Sequence, residues 1–351
     1  MRGPDSPTLA ERFVLAFRLP YPVACFLVGF FLFGVLDVAL SKYAETANLA
    51  PTVAKTLAPV SLLTDLLVAY SFYAPRYMRR RLVETGRALS NLLPDRDADF
   101  HRIFAEVAAP RPQVVAWMLF LVALLAAFSV PAILGTGPSP LVFNAGAGTA
   151  LEFVAGVFSI VSLAVATLAL SSVVWTFWSI SLGIHRFGQA PLALRPYYED
   201  PFLGLKSLGA LSLSLAFSYF SFIGLFLLVL SASPGTPTTA DVVGVGGFLS
   251  GLVLLGLVLF FLPLRGLHRR MVDEKRQEMV RLRPKLGPIY EEGASQPQDV
   301  AHLVRIDMMD RKVAAMAIWP YDVGILGRLS AITLSVIAIL LSRIIALIFH
   351  I

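Results

Sequence analysis

Apolar residues fall in long blocks along the chain, and three of the segments that separate the blocks, residues 74–113, 185–206 and 263–321, contain most of the arginines. The longest block, residues 153–184, contains thirty-two residues without one charged side chain. As a helix it would be ~48 Å long, which exceeds the ~30 Å hydrocarbon core of a bilayer. Only 15% of the 351 residues are charged, against about 25% in soluble proteins. The pattern therefore predicts an integral membrane protein.

The apolar blocks predict an all-α fold with seven transmembrane helices in a single polytopic domain, residues 1–351. A cap of amphipathic helices is expected on the cytosolic side, built from residues 74–113, 185–206 and 263–321. Because Asp37 interrupts the first apolar run, we expect an uncleaved first span rather than a signal peptide. The predicted spans cover about residues 19–40, 56–73, 114–134, 153–178, 208–230, 242–262 and 323–348.

The positions of Lys and Arg predict the orientation. If residues 153–184 crossed the membrane twice, residues 263–321 with their eleven Lys and Arg would lie outside. A single crossing places 25 of the 29 Lys and Arg on one side, which the positive-inside rule assigns to the cytosol. We therefore expect a cell-membrane protein with a cytosolic N-terminus and an extracytoplasmic C-terminus. The same boundary is expected to hold Trp117, Trp175, Trp178 and Trp319.

Within the cap, prolines and apolar spacing delimit the helices. The second span is expected to end at Pro75, and a separate helix should cover residues 77–93. Another helix should start at Asp95 or Asp97 and bury one face against the membrane helices. That face is expected to carry Phe100, Ile103, Phe104 and Val107.

Small residues line two consecutive spans. Ser214, Ser218 and Ser221 share one face of the fifth span, and Gly247 and Gly251 have the spacing that lets helices approach closely. We expect these two stripes to pack against each other rather than to line a pore.

Ionisable groups inside membrane spans are costly and are candidates for function. Here they are Asp65, Arg343 and Asp37, the last at the expected outer headgroup level. The first interpretation is a salt bridge between Asp65 and Arg343 that joins the second and seventh spans. The alternative is that Asp65 relays protons or cations.

Soluble-type catalytic motifs are not found. The five His residues have no metal-ligand spacing with one another or with the single Cys25, which we interpret as a small apolar residue. We predict no catalytic residue, no cofactor and no metal site. The only polar cluster that could serve a membrane-surface site consists of Arg195, Tyr197, Tyr198, Glu199 and Asp200, which turn and interface chemistry explain equally well.

Three functions remain open. The first is a non-enzymatic membrane scaffold or signalling component that acts through its cytosolic face. The second is a transporter or channel that uses Asp65, and the third is a membrane-embedded enzyme with a site at the inner interface. The expected partners are the bilayer with its anionic headgroups and a protein at the cap. The net charge of +6 follows from residues at span ends, so nucleic acid is not expected.

Overall fold

The computed structural model describes residues 6–31, 52–133, 150–232, 239–292 and 297–349. It is 82% helical, and no strand occurs within these ranges, so the fold is all-α. A 3₁₀ turn, Ala105–Ala108, joins two of the helices. The helices are α1 Leu9–Leu15, α2 Tyr21–Gly29, α3 Thr52–Ser90, α4 Arg96–Ile103, α5 Pro110–Ile133, α6 Ala150–Gln189, α7 Lys206–Ala232, α8 Thr239–Phe261, α9 Arg265–Glu292, α10 Pro297–Ala314 and α11 Val323–Phe349.

Three described helices are long and apolar enough to cross a membrane: Ile160–Gln189 in α6, Lys206–Leu230 in α7 and Val323–Ser342 in α11. A fourth crossing results if α8 and α9, which bend by 41° at their junction, count as one span. The described helices thus support three or four crossings and do not support the predicted seven. Among the residues whose side chains the structure describes, α5 supplies only a shorter apolar stretch, Pro110–Ala126.

The long apolar block forms one unbroken helix, α6, rather than a hairpin. The second predicted span also continues further than expected, because α3 passes Pro75 and ends at Ser90. Proline removes only its own backbone donor, and α3 is held on both sides of Pro75 by buried Phe72 and Met78. The predicted helix end at Pro75 was therefore wrong.

One hydrophobic core continues from the membrane helices into the cap. Leu215 of α7 and Val336 of α11 belong to its membrane part. In the cap, its fully buried members come from α3, α6, the loop after α6 and α9. They include Leu82, Leu89, Ile184, Phe187, Leu203, Leu205, Leu267 and Met271.

The helix predicted near Asp95 is confirmed as α4, which begins at Arg96. Phe100, Phe104 and Val107 are buried in the main core. Phe104 packs directly on α6, where a Cβ added to Gly183 would lie 2.4 Å from the phenylalanine ring. The apolar face of this segment is thus covered by the protein itself, as expected.

The N-terminal helix α1 is fixed to the cap by polar contacts. The Gln113 side chain accepts a hydrogen bond from the Leu9 N–H at 2.7 Å and donates one to the Val107 carbonyl at 2.9 Å. Arg79 of α3 forms a salt bridge with Glu11 at 2.7 Å. The chain start is therefore attached to α3 and α5 together.

The serine and glycine stripes do not pack against each other as expected. The Ser218 carbonyl accepts a hydrogen bond from the Tyr70 hydroxyl at 3.1 Å, so this side of α7 faces α3. At Gly247 and Gly251, an added Cβ would meet no described atom within 4 Å. The close approach of α8 to α7 occurs instead at Gly256, against the Tyr219 ring.

Candidate functional site

A groove of about 670 Å³ opens where α6 meets the junction of α8 and α9. We call it the interfacial groove, and it lies between residues 178–189 of α6 and residues 259–270 of α8 and α9. The α6 wall includes Trp178 and His185. The opposite wall includes Leu259, Leu262, Arg265, Arg269 and Arg270.

The α8–α9 bend creates the groove. Pro263 lies two residues after the end of α8, and its missing N–H favours a change of direction there. Leu264 and Leu267 are fully buried beneath the bend and hold it against the core. Gly188 lets α6 approach α9 closely, because a Cβ added at Gly188 would lie 3.3 Å from the Leu267 Cγ. The two walls are therefore fixed relative to each other.

Arg270 lines the groove and also binds the end of α6. Its guanidinium donates hydrogen bonds to the Ala190 carbonyl at 2.5 Å and to the Gln189 carbonyl at 3.0 Å. A cation at the C-terminus of a helix satisfies carbonyls that lack intrahelical partners and interacts favourably with the helix dipole. Arg270 thus has a structural role at the end of α6.

The groove has an apolar part and a basic part. Leu259 and Leu262 belong to the end of α8, and Trp178 of α6 is 54% exposed beside them. Arg265 and Arg269 are exposed on the first turns of α9. This arrangement can bind a ligand that has both a hydrocarbon part and an anionic group.

The five predicted loop residues are not among the lining residues of the groove. Asp200 shapes its own loop, because its carboxylate accepts hydrogen bonds from the N–H groups of Phe202 and Gly204, both at 2.9 Å. These bonds hold a turn in which Leu203 and Gly204 have positive φ values of 56° and 86°. The Pro201 carbonyl then accepts from the Ala317 N–H at 3.0 Å. Asp200 is thus a turn residue.

The other four loop residues lie at the surface of the cap. Arg195, Tyr198 and Glu199 are exposed, and the two tyrosine rings meet edge to face at 5.8 Å. Partial burial, followed by the negative charge of Glu278, raises the pKa of Tyr197. Tyr197 therefore lies within electrostatic range of Glu278 of α9.

Of the intramembrane candidates, Asp65 alone has a described side chain. It is buried on α3 where α2 crosses, and a Cβ added to Gly29 would lie 2.6 Å from the Asp65 carbonyl oxygen. Asp37 lies outside the described residues, as does the side chain of Arg343. The bridge between Asp65 and Arg343 stays a prediction.

Further ion pairs fix the cap. Lys206, at the start of α7, pairs with Asp322, just before α11, at 2.9 Å. The Asp322 carboxylate also accepts a hydrogen bond from the Ile325 N–H at 2.9 Å, as an N-cap residue does. Its hydrogen bonds with Lys206 and Ile325 lower the pKa of Asp322. Lys275 of α9 donates to the Ala314 carbonyl at the end of α10, at 2.7 Å.

The tryptophans do not share one level. The Trp175 indole donates to the Glu106 carbonyl, whereas Trp117 donates to the Ala164 carbonyl. Ala164 precedes Trp175 by eleven residues of α6, or ~16 Å along the helix. Trp117 therefore lies deeper among the apolar helices than predicted.

Sequence reasoning did not identify the groove. Its walls come from segments about eighty residues apart, and only their packing brings Trp178 close to Arg265 and Arg269. A signal was present, because an interface-type tryptophan ends one span and a basic cluster directly follows another. The site thus belongs to an all-α protein with three or four helices suited to crossing a membrane. Neither protein-family models nor curated proteins nor solved structures match the chain.

Proposed function

We propose that the protein is a non-enzymatic, multi-pass membrane scaffold or signalling component that acts through its cap. In this proposal, the chain crosses the cell membrane seven times, with the N-terminus in the cytosol and the C-terminus outside. Three or four described helices have the length and composition for crossing; the remaining crossings are proposed from the other apolar blocks of the sequence, and the orientation from the distribution of Lys and Arg.

The observation that carries the proposal is the hydrophobic core that the cap shares with the membrane helices. Phe104, Phe187 and Met271 in the cap are part of the same buried cluster as Leu215 and Val336. Close-packed side chains transmit displacement, so the cap and membrane helices are expected to move as one body. A fixed platform of this kind suits partner binding at a membrane surface.

The exposed surface of the cap includes apolar side chains on the otherwise polar helices α9 and α10. Val280 of α9 and Met308 of α10 are about 60% exposed, and Val304 of α10 is exposed as well. Methionine adapts to varied surfaces and is enriched at protein interfaces. These residues support a protein partner for the paired helices α9 and α10.

The two alternative functions receive less support from the described side chains. Transport through Asp65 would need that carboxylate in a water-filled cavity, and Asp65 does not line the interfacial groove. Catalysis at the loop would use Asp200, whose two carboxylate oxygens already accept backbone hydrogen bonds. The scaffold function requires neither residue.

The proposal can be tested by the mass of the particle extracted from native membranes into nanodiscs, compared with the purified monomer. We expect a defined complex that is larger than the monomer, and we expect Met308→Ser with Val304→Ser to reduce it to monomer mass. The control is Val323→Ser, which changes an apolar side chain at the start of α11 that is more exposed than either Met308 or Val304. A wild-type particle of monomer mass, or equal loss in the control, would contradict the proposal.

A further inference from the structure

We propose that the interfacial groove binds the headgroup phosphate of an anionic glycerophospholipid. The inference concerns a lipid site of defined position, and it requires only that α6 and α8 lie in the bilayer. It does not depend on a protein partner at α9 and α10, so either proposal can fail without the other.

The position of the groove favours a lipid. Its α6 wall is the end of a helix suited to crossing a membrane, and its other wall begins in apolar α8 and continues in polar α9. The junction between an apolar and a polar helix falls where the hydrocarbon core gives way to headgroups. The exposed indole of Trp178 is at the same place, and indole rings favour the headgroup level.

The charge of the groove favours an anion. Arg265 and Arg269 are four residues apart on α9, so they share one face of the helix, and both are exposed. Guanidinium groups bind phosphate oxygens through paired hydrogen bonds. The N-terminal end of α9 adds positive potential. No Asp or Glu is among the lining residues, so no carboxylate in the lining opposes a bound phosphate.

The shape of the groove separates a lipid from a soluble phosphate compound. Its volume of about 670 Å³ falls within the range of ~300–1,000 Å³ that is typical of small-molecule sites. Leu259 and Leu262 form the apolar part of the wall that carries the arginines, and Trp178 lies on the opposite wall, in α6. A soluble phosphate would leave this wall in contact with water, whereas the glycerol backbone and acyl chains of a lipid would cover it.

Gly266 offers a way to fill the groove without disturbing the fold. It lines the groove, and a Cβ added there would meet no described atom within 4 Å. Gly266→Leu therefore places a side chain in open space and also raises helix propensity. The matched control is Gly327→Leu on α11, where an added Cβ also meets no described atom within 4 Å.

The charge can be removed separately. Arg265→Gln with Arg269→Gln deletes the two exposed guanidinium groups of the groove. The matched control is Arg276→Gln, which removes one exposed arginine from the same helix outside the groove. Because neither Arg265 nor Arg269 is buried, these substitutions should leave the fold intact.

The experiment measures thermal unfolding of the purified protein in phosphatidylcholine nanodiscs as phosphatidylglycerol replaces part of the lipid. We expect phosphatidylglycerol to raise the unfolding temperature of the wild type and of both controls. Each arginine removed should weaken the apparent affinity about fivefold, from ~1 kcal/mol per basic residue near an anionic surface. Gly266→Leu should abolish the shift while it unfolds at the wild-type temperature in phosphatidylcholine alone.

Two results would overturn the inference. Equal phosphatidylglycerol shifts in the wild type, the charge variant and Gly266→Leu would mean that the lipid acts diffusely through surface charge. A shift of the same size with glycerol 3-phosphate, added to the protein in phosphatidylcholine nanodiscs, would mean that the groove takes a soluble phosphate. If either the charge variant or Gly266→Leu fails to fold, the other still tests the inference, because the first removes charge and the second fills the groove.

Discussion

At the scale of single residues, the salt bridge between Glu11 and Arg79 contrasts with the other ion pairs of the cap. The side chains of Glu11 and Arg79 are 1% and 13% exposed, and Arg79 donates two hydrogen bonds to the carboxylate, at 3.0 and 2.7 Å. The pair Arg81 and Glu84, one turn further along α3, is exposed on both sides. Burial decides how much each pair contributes to stability, because water screens the exposed Arg81–Glu84 pair far more than the buried Glu11–Arg79 pair.

We predict that Glu11→Gln lowers the free energy of unfolding by about 1.5–3 kcal/mol, because a neutral amide replaces the buried carboxylate that accepts two charge-assisted hydrogen bonds from Arg79. Glu84→Gln is the control and should cost about 1 kcal/mol or less. Denaturant-induced unfolding of both variants in detergent measures the difference. Equal losses of stability would show that the attachment of α1 does not depend on this bridge.

Asp322 predicts a pH dependence. Its pKa in the folded protein lies below its ordinary value, because Lys206 and the Ile325 N–H hold the carboxylate ionised. The stabilisation that the ionised Asp322 gives to the fold is thus fully present above the ordinary pKa of about 4. It is lost as the pH falls through the lowered pKa of the folded protein. We expect Asp322→Asn to unfold at a lower temperature than the wild type at pH 7, and the two temperatures to converge below pH 4. A difference that persists unchanged at pH 3 would contradict this.

At the scale of helices, close approaches at glycine set the packing. At Gly209, in the first turn of α7, an added Cβ would lie 2.0 Å from the Pro320 carbonyl oxygen. Backbone atoms cannot move aside as a flexible side chain can, so the start of α7 and the segment before α11 would have to separate. This contact, together with the Lys206–Asp322 pair, connects the two helices at the cap.

Gly209→Ala is therefore predicted to lower the free energy of unfolding by about 1–3 kcal/mol, the usual cost of overpacking. Gly224→Ala on the same helix is the control, because an added Cβ there meets no described atom within 4 Å. That control should leave stability unchanged or raise it slightly. Thermal unfolding in detergent compares the two, and a tolerated Gly209→Ala would refute the close contact.

The sequence predicted the helices better than it predicted their ends. Apolar spacing correctly indicated the buried face with Phe100, Phe104 and Val107. Proline was a poor guide, because α3 continues past Pro75 while the chain bends at Pro263. The difference comes from packing: α3 is held by buried side chains on both sides of its proline, which local sequence does not reveal.

At the scale of the whole molecule, the apolar blocks predicted an all-α membrane protein; the described residues confirm the all-α fold and include three or four helices suited to crossing a membrane. The candidate site was not predictable in the same way. The loop Arg195 to Asp200 is a local cluster, which sequence reasoning can see, but its Asp200 supports a turn. The interfacial groove depends on the packing of α6 against α9, and the tryptophan and basic cluster that mark the two span ends do not reveal that packing.

We propose that the cap faces the cytosol beneath a seven-span membrane domain. This proposal can be tested by cysteine labelling with a membrane-impermeant maleimide in intact cells, since the single native Cys25 is buried. We predict that Ser139→Cys, which lies between α5 and α6 in the sequence, is labelled in intact cells. Glu199→Cys, in the exposed loop of the cap, should be labelled only after the membrane is permeabilised. Labelling of Glu199→Cys in intact cells would show that the cap lies outside the cytosol and would contradict the proposed orientation.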